Sequence, residues 1–231
     1  MALKIDFHVH TKASKDGVSS IQEIVAVAKM RRLDGFAITD HDVSMNVERA
    51  EAISRESGMI VLPGIEVSTK SGHLILIYPE KEIPKNLTIE EILDFVKDWN
   101  SPLIIPHPTD HLSHGLGEGI VRSIRQINPA IEVFNASTLF IYNKKAKRIA
   151  NELGLYEVGG SDAHVASAVG RAYTIIDVED RTSEGVIEGL RSGKTRAYGK
   201  YIPIRSLFEL SLRRVLKKSD IFNNTAQMGK N

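Results

Sequence analysis

Short apolar runs alternate with helix-start signals along most of this chain, and that alternation limits its folds more than any other feature. Runs at 3–7, 36–39, 59–62, 74–78, 102–106, 131–134, 156–160 and 172–176 read as strands. Between them lie helical stretches. Two open with capping boxes, Ser20-x-x-Glu23 and Thr88-x-x-Glu91. Others cover about 43–57, 120–127, 142–153 and 183–191, with Gly58 and Gly154 as stops. Strand, helix, strand, helix implies parallel strands joined by helical crossovers. The count predicts about seven strand–helix units closing into an α/β barrel, with the strand after His73 breaking the regularity. The 231 residues fit one such domain. It is expected over 1–216 and ends on an amphipathic helix at 204–216. A polar tail, 217–231, is expected to be disordered.

Composition removes several function classes. A net charge of +1 argues against bulk attraction to nucleic acid or anionic membrane. The chain has no cysteine, which excludes disulfides, thiolate metal sites and a cysteine nucleophile. No apolar run approaches membrane-spanning length, and Met1-Ala2-Leu3-Lys4 enters a strand without signal-peptide character, so a cytoplasmic location is expected. Neither a Ser-His-Asp arrangement nor a Gly-rich phosphate loop is visible.

The strand ends carry the chemistry. His8 and His10 follow the first apolar run at i, i+2, the spacing that puts two side chains on one face of a strand. Asp162-x-His164 repeats that spacing near the far end. Asp16, His41, Glu66 and His107 also lie at or just after strand ends, and His73 opens its strand. In α/β barrels these ends share one rim. One H-x-H pair arises by chance, and each of these histidines alone reads as an ordinary core or surface residue. Nine potential ligands on one rim are far harder to reach that way, and so much charge is costly without a cation. Without thiolates, a His and carboxylate set suits zinc, manganese or iron.

The ordered series Asp6-Phe7-His8-Val9-His10-Thr11, Ser14-Lys15-Asp16-Gly17, Thr39-Asp40-His41-Asp42, Gly64-Ile65-Glu66-Val67-Ser68, Gly72-His73-Leu74, Pro106-His107-Pro108 and Gly160-Ser161-Asp162-Ala163-His164 resembles the polymerase and histidinol phosphatase (PHP) family. Seven motifs agree in order and spacing, over about 5–173. The resemblance implies a distorted seven-stranded (β/α)7 TIM-like barrel holding two to three divalent metal ions. It implies that His8, His10 and Asp162 hold one metal, and that Glu66 bridges it to a second held by His73 and His107. A third would rest on Asp16, His41 and His164. His41, Asp162 and His164 would stand at the catalytic centre. His73 is the least secure ligand, since its equivalent lies outside the coordination sphere in parts of the family.

Other residues keep two readings. Asp40 either holds an imidazole or caps the next helix, and Asp6 supports the site or the fold. Glu132 ends a strand facing the rim, as a functional group or as half of a buried pair. His111 and His114 fall in a Gly-rich loop that reads as solvated. Arg171, Lys12 and Lys15 are the candidates for clamping a substrate phosphate, Arg171 foremost. Arg213-Arg214 and Lys217-Lys218 read as a solvated helix end. Only about 25 residues separate His107 from Glu132. Some nucleotide phosphatases of the family carry an inserted domain there, so the site is expected to be open or covered by a partner subunit in a homo-oligomer.

The resulting expectation is a metal-dependent phosphoesterase acting on a phosphomonoester or short nucleotide. The alternatives are a nuclease acting on DNA or RNA ends, a non-catalytic barrel used as a scaffold or nucleic-acid-binding subunit, and an amidohydrolase acting on C–N bonds.

Overall fold

The computed structural model describes residues 1–228, with side chains through Lys217. Nine strands form one sheet: β1 (Ala2–Val9), β2 (Gly35–Ile38), β3 (Ile60–Thr69), β4 (Gly72–Ile77), β5 (Leu103–Ile105), β6 (Ala130–Asn135), β7 (Glu157–Gly160), β8 (Ala172–Asp177) and β9 (Thr195–Gly199). Their order is β7-β6-β5-β4-β3-β2-β1-β8-β9. The sheet curls until its first seven strands nearly close. Beyond β7, Ala163 pairs in parallel with Val9, and the His10 N–H donates to its carbonyl at 3.0 Å. Gly159 of β7 also exchanges hydrogen bonds with the Thr174 hydroxyl of β8.

The expected barrel is therefore present, with two corrections to its regularity. Nine strands form rather than seven, because β8 and β9, an antiparallel pair connected through a helix, extend the sheet beside β1. β4 runs antiparallel to both β3 and β5. The reason is local: only Lys70 and Ser71 separate β3 from β4, and a two-residue connection makes a hairpin, never a crossover. β3 also runs unbroken through Pro63-Gly64, where a strand end was expected. The strands on either side hold it, with Pro63 in register with Ile38 and its carbonyl accepting from the Tyr78 N–H at 2.8 Å.

Among the described residues there are seven α-helices: α1 (Ile21–Met30), α2 (Val47–Ser57), α3 (Ile89–Trp99), α4 (Glu118–Ser123), α5 (Phe140–Leu153), α6 (Ser183–Arg191) and α7 (Ile204–Met228). Both expected capping boxes form, and Gly58 ends α2 at φ 68°. α2 begins four residues later than expected, behind Asn46 as its N-cap. α7 runs twelve residues past its expected end at 216. Most of the anticipated tail thus has helical backbone, and 229–231 lie outside the described residues.

The core has three parts. One cluster is drawn from strands β1 to β8 and includes Ile5, Phe7, Leu62, Ile75 and Ile104. A second packs α3, α4 and α5 on the sheet, and a third packs α1 and α2. The register of β1 against β2 shifts between Asp6 and Val9. At this bulge Phe7 stays in the apolar cluster while its neighbour His8 turns to the carboxylates Glu66 and Glu132. Bulges re-aim side chains in this way beside functional sites. No helix among the described residues is long and apolar enough to cross a membrane.

Candidate metal centre

Glu66 stands at the middle of the barrel mouth, wholly buried, with five imidazoles around its two oxygens. Its Oε2 lies 3.2 Å from His8 Nε2, 3.3 Å from His10 Nε2 and 3.1 Å from His41 Nδ1. Its Oε1 lies 2.9 Å from His73 Nδ1 and 3.1 Å from His107 Nε2. Asp162 forms a second focus, with Oδ1 3.3 Å from His10 Nε2, 3.4 Å from His164 Nδ1 and 3.6 Å from His8 Nε2. Asp16 reaches over the rim to His164 Nε2 at 2.9 Å and to His41 Nε2 at 3.8 Å. All nine residues expected as ligands converge here.

Backbone and packing hold them in place. His107 and Asp162 adopt positive φ, 29° and 52°, a conformation non-glycine residues rarely take. His41 pairs with Glu66 through a β-bridge. Gly160 permits the closest approach: a Cβ there would stand 2.4 Å from Glu132 Oε1 and 2.6 Å from the His8 Cβ.

A layer of polar groups supports the imidazoles. Glu132 is buried and faces the site, with Oε1 3.1 Å from His8 Nδ1. Its Oε2 accepts from the His107 N–H at 2.8 Å and from Asn135 Nδ2 at 2.9 Å. Asn135 Nδ2 also donates to Asp162 Oδ2 at 3.2 Å, a contact no sequence signal announced. Asp40 neither caps α2 nor touches an imidazole. It accepts from the Thr11 N–H and hydroxyl and from Ser14, fixing the turn after β1. The Ser14 hydroxyl then meets His10 Nδ1 at 3.2 Å. Asp6 joins β1 to the loop after β7, accepting from the Ser161 and Gly170 N–H groups. Burial pushes its carboxyl up to about 6.

Electrostatics inside this cluster are strongly coupled. Burial alone would keep His8 and His10 neutral, yet Asp162 and Glu66 hold His8 well above the ordinary histidine range and raise His10 to about 9. His107 is raised in the same way by Glu66. Glu66 and Asp162 are held well below the carboxylate range despite their burial, by these same imidazoles. His41 goes the other way. Burial lowers it to about 4, leaving a neutral ring with a free lone pair.

The donor set fits metal ions. His10 Nε2, His73 Nδ1, His107 Nδ1 and Asp16 Oδ1 are buried without a hydrogen bond of normal geometry. Buried polar atoms are seldom left so, and an ion between them is one way to satisfy them. Four groups bring three donor atoms within 4.8 Å of one another: His8, His10 and Glu66; His41, Glu66 and His73; His10, His41 and His164; His8, His107 and Asp162.

A cavity of about 370 Å³ opens over the centre. Its walls include Asp16, His41, Glu66, His73, His107, Asp162 and His164. His114, expected in a solvated loop, also lines it, with its ring 5.2 Å from that of His73. The three basic residues expected to meet phosphate are elsewhere. Lys12 and Lys15 are exposed and outside the cavity, and Arg171 lies near Arg31, also outside it. The cavity is not simply open either: Ser206, Leu207, Leu210 and Arg214 of α7 form one wall.

Comparisons agree with this architecture. The chain matches the PHP domain over residues 6–156 and the PHP-associated region over 140–195. An uncharacterised protein of Methanocaldococcus jannaschii is 31% identical over 144 residues, 58% of this chain and 82% of that protein. A probable phosphatase of Caldicellulosiruptor saccharolyticus is 26% identical over 203 residues, 74% of this chain and 84% of that protein. Among solved structures, a two-domain protein from Bacteroides vulgatus containing a predicted PHP-like metal-dependent phosphoesterase superposes with a TM-score of 0.69 at 21% identity. The match covers 90% of this chain and 70% of that one. By sequence motifs, fold and family match together, this chain belongs to the PHP family of metal-dependent phosphoesterases.

Proposed function

We propose that this barrel hydrolyses a phosphomonoester or a short nucleotide, using two to three divalent ions of zinc, manganese or iron. The observation that carries the reading is Glu66, one buried carboxylate whose two oxygens face separate sets of imidazoles. That is the geometry of a bridging ligand. His8, His10 and Asp162 would hold one ion with Glu66, His73 and His107 would hold a second, and Asp16, His41 and His164 a third. Ions bound there would supply an activated water for in-line attack on phosphorus and neutralise the phosphoryl oxygens. The residues' own work is to keep donor atoms aimed at the centre. Glu132 orients His8, Ser14 orients His10, and the Asp162 carbonyl lies 3.1 Å from His164 Nδ1. The likeness to a probable phosphatase supports the same chemistry.

The test is metal content by mass spectrometry on protein purified without chelators, with hydrolysis of an aryl phosphate and a nucleotide panel in manganese or zinc. Two to three ions per chain and turnover are expected. In His41→Ala, turnover should be lost with the far-ultraviolet spectrum unchanged. Protein that binds no metal and hydrolyses nothing after reconstitution would instead be a scaffold. Cleavage of oligonucleotides with no action on phosphomonoesters would make it a nuclease.

A further inference from the structure

We infer that Arg214, on the C-terminal helix, is the residue that grips the anionic phosphoryl group of the substrate. The inference rests on the phosphoesterase reading and deepens it. A phosphomonoester near neutral pH carries up to two negative charges, and arginine offers planar, permanently charged donors to such a group. Among the described residues lining the cavity, Arg214 is the only arginine or lysine. The remaining charged groups there are histidines and the carboxylates Asp16, Glu66 and Asp162.

The placement of Arg214 is built. Its Nε donates to the Asp16 carbonyl at 3.0 Å, and its Nη2 lies 3.4 Å from Asp16 Oδ2. On either side the helix is tied to the same corner of the barrel. Arg213 Nη1 donates to Glu23 Oε1 of α1 at 2.6 Å. Lys217 Nζ sits over the loop that carries Asp16, donating to the carbonyls of Ser14 at 3.0 Å and Gly17 at 2.8 Å. Three cations within little more than one turn thus lock α7 beside the cavity. Arg214 is about 40% exposed at the side chain, which leaves its remaining donors free to meet a ligand. Leu207 and Leu210 flank it with an apolar wall, suited to the organic part of a small ester.

Binding of inorganic phosphate to the metal-loaded protein, followed by calorimetry, tests this without relying on turnover. Wild type, Arg214→Ala and Arg214→Lys are compared, alongside metal content and steady-state kinetics on an aryl phosphate. The expected result for Arg214→Ala is a phosphate Kd weakened roughly tenfold or more, with KM raised, kcat little changed and metal content intact. Arg214→Lys should recover part of the loss. Equal phosphate affinity in wild type and Arg214→Ala overturns the assignment, while wild-type turnover leaves the phosphoesterase reading standing. Loss of bound metal in Arg214→Ala also overturns it, since the arginine would then act only by holding Asp16. Wild-type protein that loads metal but neither binds phosphate nor hydrolyses the ester overturns both readings together.

Discussion

His8 Nδ1 and Glu132 Oε1 lie 3.1 Å apart, and the other Glu132 oxygen accepts from the His107 N–H and from Asn135. One carboxylate thereby sets the orientation of an imidazole on β1 and the backbone of another on the loop after β5. In Glu132→Gln the amide cannot satisfy both sides. Either its NH2 faces two donors, or it faces the His8 N–H. Divalent metal affinity should fall by roughly 10–100-fold. Competition titration with a chromophoric chelator measures it, and unchanged affinity would remove Glu132 from the site.

Gly160 gives a steric prediction. The added methyl of Gly160→Ala would press on Glu132 Oε1 and the His8 Cβ. Neither can retreat, because both are buried and hydrogen-bonded. The expected cost is about 2 kcal/mol of unfolding free energy, with metal loading impaired. Urea denaturation of the metal-free and loaded proteins separates the two effects.

Metal binding should release protons. His10 is raised to about 9, so it holds a proton at pH 7 when no cation is present, and the shift of His107 runs in the same direction. Ligation needs neutral imidazole. Affinity should therefore climb as pH rises from 6 and flatten as His10 reaches its own titration near 9. Calorimetry at pH 7 in two buffers of different ionisation enthalpy counts the protons. A count of zero would contradict the charge balance described for the cluster.

The Glu23–Arg213 pair predicts how acid acts on α7. Arg213 holds the Glu23 carboxyl down to about 2. Its folded value lies below its unfolded value, so the pair stabilises fully above the usual carboxylate range and is lost as pH falls toward 2. Both groups are over a third exposed, which keeps the effect small. Opening of α7, read from hydrogen exchange of its amides corrected for the intrinsic pH dependence of exchange, should rise over that window in wild type. In Glu23→Gln it should already be raised at neutral pH and change less with acid. Identical profiles would show that the pair does not anchor the helix.

Most of the metal centre is legible in the linear chain, because its logic is local. A strand of period two and a turn at its end suffice to aim His8 with His10, and the motif series carries the other seven candidate ligands. The capping boxes and the glycine stops are equally local, and both boxes form as read. Antiparallel β4 was hinted at by the irregular position of His73. Strand β9 was missed because Thr195-Arg196-Ala197-Tyr198-Gly199 lacks a clear apolar alternation and owes its place to pairing with β8.

What surrounds the ligands was decided only by the tertiary structure. Arg171 follows the last metal motif closely in sequence, yet it lies outside the cavity. Arg214 stands 198 positions from Asp16 and meets it directly. The pattern of one helix reveals which of its faces is apolar, but not which loop that helix will cross. The candidate metal ligands are therefore written into the motifs by the short-range geometry of strands and turns. Which cation lines the cavity depends on where the final helix packs, which is settled by contacts between the two ends of the chain.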